Sequence, residues 1–283
     1  MSSVPRVAAR YDFAGRAAIV TGASQGIGLA AAERLCAEGC LVCVVAAPAD
    51  ADALEDVAAR LRAAGASAFA VAGDVAEQET ARRAVEETLA RAGRLDFLVS
   101  NAGIFYYDDV FDAPVEHLDH QLRVNVRGNY LMATECGRAM ARGDGGAIVC
   151  TASSASVMGE EQMAAYNASK GAVAALGRSL AVDLAPYGIR VNVIAPGWVD
   201  TAQNVDVRDD TAVWSKHRAR VPLDRMAGPH EIAAVMVFLL SDEASYLTGA
   251  FVLVDGGATA GFRSSDWAAV EIPTGPRPRV RLE

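Results

Sequence analysis

The 283 residues suit one large α/β domain or two small ones, and a chain of that length buries enough surface to need no disulfide staples. Hydrophobic residues make up 52% and charged residues 22%, a balance that argues against a disordered chain. The net charge of −9 repels a phosphate backbone and argues against general nucleic-acid binding.

The opening MSSVPRVAARYDFAG has neither an apolar core nor a small-residue cleavage pattern, so residues 1–14 read as a tail and not as a signal peptide. From Arg16 onward, β-branched runs alternate with stretches of helical length. Strands are predicted at Ala17–Thr21, Leu41–Ala46, Ala68–Ala72, Phe97–Ser100, Ala147–Thr151, Val191–Ala195 and Phe251–Val254. Helices are predicted near Ile27–Glu38, Ala51–Ala64, Glu77–Ala92, Val115–Arg142, Met163–Ala185 and Pro229–Leu240. Continuous apolar strands that alternate with helices imply a Rossmann-like α/β fold: a doubly wound, parallel, seven-stranded sheet with helices on both faces. Residues 15–260 would form this single domain, with no linker inside it. Trp198–Ala227 breaks the rhythm as a long polar connection, of the sort that is a lid or a disordered segment, and is read as a lid; 261–283 reads as a C-terminal arm or a loose tail carrying Arg277, Arg279 and Arg281. No run approaches the ~18 apolar residues of a membrane span, which together with the start predicts a cytoplasmic protein.

The five cysteines are Cys36, Cys40, Cys43, Cys136 and Cys150. Cys40 and Cys43 have CxxC spacing, but three residues apart on a strand means opposite faces, so neither a bridge nor a shared metal is expected. Without a His/Cys cluster, no metal site is predicted.

Chemistry first enters where the opening strand runs into TGASQGIG, Thr21 to Gly28. Gly22, Gly26 and Gly28 permit a tight turn and close approach to a pyrophosphate, and the helix behind them presents free N–H groups and a partial positive charge. Many strand–helix turns carry glycine for steric reasons alone; the position after the first strand of an alternating chain favours the phosphate role. Farther on, YNASK sets Tyr166 and Lys170 four residues apart, on one helical face. A phenol with a pKa near 10 is a poor proton shuttle at neutral pH. One cation at about 4 Å supplies about 4 kcal/mol at an effective dielectric of about 20, enough to lower it by about three units. Lys170 is therefore expected to depress Tyr166 and poise it for general acid/base work.

The TGxxxGxG spacing and the YxxxK pair together resemble the short-chain dehydrogenase/reductase family, over roughly residues 14 to 257. The resemblance implies a nicotinamide cofactor, held by Gly22, Ser24, Gln25, Gly26, Ile27 and Gly28 of the turn and by Ala46 at the end of the second strand. Asp74 and Val75 would contact the adenine. Asn101, Ala102 and Gly103 resemble the family's NAG turn beside the ribose, with Ser100 where an asparagine often precedes it. Pro196, Gly197, Val199 and Thr201 match the turn that grips the carboxamide. Tyr166 and Lys170 also touch the cofactor in this family. Ser153, thirteen residues before Tyr166, matches the serine that orients the substrate oxygen, with Ser154 as the alternative in TASSAS. Asn125, in RVNVRGN, matches the asparagine that helps hold a water relaying protons from the lysine, with Asn129 as a competitor.

These assignments imply an oxidoreductase that moves a hydride between a nicotinamide cofactor and a secondary alcohol/ketone pair, and a homotetramer or homodimer as its assembly. The alternatives are a non-catalytic NAD(P)-binding or sensing protein, and an epimerase or dehydratase on the same scaffold. NAD is favoured over NADP: Ala46, Ala47 and Pro48 offer no cation to a 2′-phosphate, and Asp50, Asp52, Glu55 and Asp56 follow closely. Substrate cues conflict. Lid residues Arg208, Lys216, His217, Arg218 and Arg220 would greet an anion, whereas Glu160 and Glu161 would disfavour one if they faced the site. Phe105, Tyr106 and Tyr107 could line an apolar pocket or cover core and interface.

Overall fold

The computed structural model describes residues 10–261; residues 1–9 of the expected tail and 262–283 of the expected arm, including Arg277, Arg279 and Arg281, lie outside them. Seven strands, β1 (Ala17–Thr21), β2 (Leu41–Ala46), β3 (Ala68–Ala72), β4 (Phe97–Ser100), β5 (Gly146–Thr151), β6 (Ile189–Pro196) and β7 (Phe251–Val254), form one parallel sheet in the order β3-β2-β1-β4-β5-β6-β7. Helices cover both faces, as the unbroken apolar strands require. Alternate side chains divide between two cores. Ala18, Val20, Val42 and Val44 pack under α1 (Gly26–Ala37), α2 (Ala51–Ala63) and α9 (Pro229–Leu240). Ile19, Cys43, Val45 and Ile148 pack under α3 (Gln78–Ala92), α5 (Gly128–Met140) and α6 (Ala164–Leu184). Cys40 and Cys43 fall in opposite cores, and all five cysteines are free and buried. Among the described residues, no helix is long and apolar enough to cross a membrane.

Strand order reverses between β1 and β4, and there the chain ends of the two strands diverge and open a crevice. The two turns at that point are sewn together. Thr21 Oγ1 accepts from the Asn101 and Ala102 amides at 2.9 and 3.0 Å, and Asn101 Nδ2 donates back to Thr21 O at 3.3 Å. The amino ends of β1 and β4 are fixed by Asp96, whose buried carboxylate accepts from Arg16 Nη1 at 2.8 Å, the Ala17 amide at 2.9 Å and Arg94.

Burial pushes the Asp96 carboxyl up, but the hydrogen bonds from Arg94, Arg16 and Ala17 outweigh it and hold the group below its ordinary value. A carboxyl depressed on folding adds stability that is complete above the unfolded value of about 3.9 and fades as pH falls through the folded one. Asp96→Asn is therefore expected to cost about 1–3 kcal/mol at neutral pH. Urea unfolding at several pH values should show the gap to the parent narrowing as pH drops below about 4.

Two segments differ from the sequence expectation. The helix expected over Val115–Arg142 is divided into α4 (Val115–Gln121), a wide π-type segment at Leu122–Arg127, and α5. Asn125 sits in that segment and Asn129 Nδ2 donates to its backbone carbonyl at 2.7 Å. Such segments often accompany functional residues, because the extra residue per turn re-aims a side chain. The polar connection expected at 198–227 contains two short helices, α7 (Val205–Asp209) and α8 (Thr211–Arg218), the latter capped by Asp210 Oδ1 accepting from the Ala212 and Val213 amides. Neither is long enough to leave a periodic trace in the sequence. Paired backbone bonds, Asp200 N to Ala227 O and Ala227 N to Trp198 O at 2.9 Å each, close the neck of this excursion.

Candidate active site

A cleft of about 430 Å³ opens at the carboxyl ends of β1, β4, β5 and β6. It is lined by Gly22, Ser24, Gln25, Gly26 and Ile27 from the glycine turn, and by Asn101, Ala102 and Gly103 from the turn after β4. Ser153, Tyr166, Lys170, Pro196, Gly197, Val199 and Thr201 complete the residues that the sequence placed there. The glycine turn is built for a backbone-held ligand. Gly22 and Gly26 have φ of 63° and 58°, and α1 begins at Gly26 with no acidic side chain in its first turn. A Cβ on Gly28 would lie 2.1 Å from the Gly22 carbonyl oxygen, so only glycine lets the helix start this close to the turn. An open helix N-terminus over a glycine cradle fits a pyrophosphate, so the residues present fit a dinucleotide.

Other expected contacts lie behind this surface. Gly28 supports the turn from within, and Ala46 is buried at the end of β2. Val75 is buried against Gly128, and the Asp74 carboxylate is taken by Arg123 Nη2 at 2.7 Å and by the Ala76 amide at 2.9 Å. Asp50 also lines the cleft, whereas among its described lining residues Lys170 is the one cation.

The catalytic candidates converge from three elements. Tyr166 and Lys170 lie one turn apart on α6, with Lys170 Nζ 5.7 Å from the Tyr166 ring centroid. Lys170 Nζ donates to Thr151 O at 2.9 Å, a contact with the last residue of β5 that nothing in the sequence marked. Ser153 caps the turn after β5 and acts on the Tyr166 phenol to lower it, and both Ser153 and Ser154 line the cleft. Asn125 acts as a clamp. Its Oδ1 accepts from Ile104 N at 2.8 Å, and its Nδ2 donates to Ile104 O and Ser169 Oγ at 2.9 Å each. Ser169, inside YNASK but not singled out by sequence, passes this on by donating to Tyr166 O at 2.8 Å. Asn125 Oδ1 and Lys170 Nζ flank Gly103, each 3.2 Å from where its Cβ would stand.

The electrostatics correct one expectation. Burial raises the Tyr166 phenol to about 12, against the opposing pull of the Ser153 hydrogen bond. Burial likewise lowers the Lys170 ammonium to about 8. Lys170 is not among the groups that shift Tyr166; burial dominates both, penalising the charged form of each.

Beyond Tyr166 the walls are Phe105, whose ring meets Tyr166 edge-on at 5.8 Å, with Tyr107, Glu160, Met163 and Trp198. Tyr106 turns away, stacking on His117 at 3.9 Å and hydrogen-bonding His120 Nδ1.

Comparison with known proteins agrees with this geometry. A family model described as enoyl-(acyl carrier protein) reductase matches residues 22–259. L-rhamnose 1-dehydrogenase (NAD(P)(+)) of Sphingomonas sp. (strain SKA58) is 39% identical over 244 residues, covering 86% of this chain and 96% of that protein. Cis-4-hydroxycyclohexanecarboxylate dehydrogenase of Sinomonas cyclohexanicum is 39% identical over 253 residues, 88% and 98% of the two chains. The crystal structure of a short-chain type dehydrogenase/reductase from Mycobacterium marinum superposes with a TM-score of 0.83 at 35% identity, covering 88% of this chain and 98% of that one.

Proposed function

Because the chain belongs to the short-chain dehydrogenase/reductase family and is an NAD(P)-dependent oxidoreductase of alcohols and ketones, we propose that Tyr166 is its proton-transferring residue, working with Ser153, Lys170 and Asn125. The observation that carries this reading is the meeting of the Tyr166 phenol, the Ser153 hydroxyl and the Lys170 ammonium at one end of a glycine-cradled cleft. The bound nicotinamide supplies hydride exchange and, when oxidised, a positive charge. Every other task falls to the protein. Ser153 Oγ holds the substrate oxygen and stabilises charge developing on it. Tyr166 Oη, kept protonated by burial, donates a proton to that oxygen during reduction and accepts one during oxidation. Lys170 returns the proton, and Asn125 fixes the Gly103–Ile104 turn beside Lys170 and helps hold a water on the proton path.

Gly22, Ser24, Gln25, Gly26 and Ile27 hold the pyrophosphate, with Gly28 as their support; Asn101, Ala102 and Gly103 flank the ribose, and Pro196, Gly197, Val199 and Thr201 hold the carboxamide. Ala46, Asp74 and Val75 form the adenine end. Residues 15–260 act as one catalytic domain, with 198–227 as lid. The five buried free thiols support a cytoplasmic setting, and a homodimer or homotetramer is the proposed assembly. NADH formation measured across alcohols, sugars and hydroxysteroids tests the whole reading, and no turnover of any would refute it.

The cofactor preference is proposed to be NAD. Asp50 lines the cleft, and among the described residues no lining cation besides Lys170 is available to a 2′-phosphate. Calorimetric titration should give NAD at least about tenfold tighter binding than NADP, the equivalent of one carboxylate–phosphate repulsion near a surface. Asp50→Asn should shrink that margin several-fold, and tighter binding of NADP by the parent would reverse the assignment.

A further inference from the structure

The far end of the substrate pocket carries one carboxylate without a partner. Glu160 is half-buried and lines the cleft with Phe105, Tyr107, Met163 and Trp198. It makes no hydrogen bond or ion pair with any described residue, and Arg220 is the cation whose field reaches it. Its charge bears on both the Tyr166 and the Tyr107 phenols, and all three side chains line the same cleft. The loop that carries it is pinned on both sides. Asp108 N donates to Gln162 O at 2.9 Å and Asn167 Nδ2 to Met158 O at 2.9 Å, while Gln162 holds a left-handed φ of 62°. A non-glycine residue in that region is kept there by its surroundings, and Glu160 is thereby held in place.

The cations that might have neutralised it are elsewhere. Arg208 is committed to Asp200 and Asp209, and Arg218 to Asp224. None of Arg208, Lys216, His217, Arg218 and Arg220 lines the cleft, and Glu161 is exposed outside it. A half-buried carboxylate lacking a donor is costly, and the cost falls when a ligand brings one.

We propose that Glu160 is the specificity-determining residue of the substrate pocket, accepting a hydrogen bond from a second donor group, hydroxyl or ammonium, on the far side of the substrate from the reacting carbon, and rejecting substrates that carry a carboxylate there. This rests on the reading that Ser153 and Tyr166 hold the reacting oxygen. It selects polyols, sugars or amino alcohols from the broader class of secondary alcohols.

A matched ring series tests it: cyclohexane-1,4-diol, 4-aminocyclohexanol and 4-hydroxycyclohexanecarboxylate, assayed by NADH formation. The parent enzyme should turn over the diol or the amine with a kcat/KM at least about tenfold above the carboxylate. An amine preferred to the diol by more than about tenfold marks a cationic substrate, and otherwise the substrate is a neutral polyol. Glu160→Gln should bring the three within about threefold of one another, and Glu160→Arg should place the carboxylate first. Cofactor binding by each variant, which uses the other end of the cleft, confirms that it is folded. Preference of the parent for the carboxylate, failure to turn over any of the three, or ratios unmoved by either substitution overturns the proposal. Tyr166→Phe separates the two readings: if it abolishes turnover while Glu160 variants leave the ratios unmoved, only the role of Glu160 falls; if it retains turnover, the assignment of the reacting centre falls.

Discussion

Tyr166→Phe is expected to lower kcat by about a thousandfold while leaving cofactor affinity within about threefold of the parent, in line with the usual worth of a positioned general acid. The variant removes one oxygen and keeps the ring, so the edge contact with Phe105 at 5.8 Å and the packing of α6 survive. The glycine cradle of residues 22–28 lies on a different element and does not depend on that oxygen. Single-turnover kinetics with deuterated substrate would show whether the chemical step is what slows. Turnover near the parental rate would mean that another group moves the proton. The raised phenol gives the result its significance: a tyrosine that holds its proton to about 12 is ready to act as an acid, and acting as a base requires extra positive charge in the cleft.

The second large effect is expected at Gly28. An added Cβ would stand 2.1 Å from Gly22 O, 2.7 Å from Gly22 C and 2.8 Å from Asn101 Nδ2. Two of these are backbone atoms of the turn itself, so α1 must retreat or the turn must open. Either movement displaces the N–H groups aimed at a pyrophosphate. Gly28→Ala is expected to weaken cofactor binding by about 100-fold, and overpacking of this kind costs about 1–3 kcal/mol of stability. Gly143→Ala is the control, since its Cβ would meet only Met140 O at an ordinary 3.7 Å. Calorimetry for the cofactor and thermal melts for both variants check this; parental affinity in Gly28→Ala would show that the turn does not hold the ligand.

Much of this site was legible before any coordinates. The four-to-six-residue apolar runs could be satisfied only as strands covered on both faces, and β1, β2, β3, β4 and β7 begin and end at the residues expected. Helix α9 does the same, bounded by Pro229 at its start. Local rules reached the glycine turn because its geometry is local: left-handed glycines at 22 and 26 and a helix that begins at Gly26. Tyr166 and Lys170 were equally readable, since helical spacing alone puts them on one face.

What the sequence by itself determined, then, is the set of strands, the cradle and the tyrosine–lysine pair, each specified by contacts within a few residues. Tertiary structure decided the rest. Asn125, inside the π-type segment, grips Ile104 and Ser169, 21 and 44 positions away, so no window of sequence contains its partners. Conflicting charge cues were sorted by the fold: Arg208 and Arg218 pair with lid carboxylates, and Glu160, unlike Glu161, lines the cleft. Spacing also misjudged the balance between Lys170 and Tyr166. It sets how far apart two groups can lie, whereas burial, a product of the folded chain, decides the direction in which each is shifted.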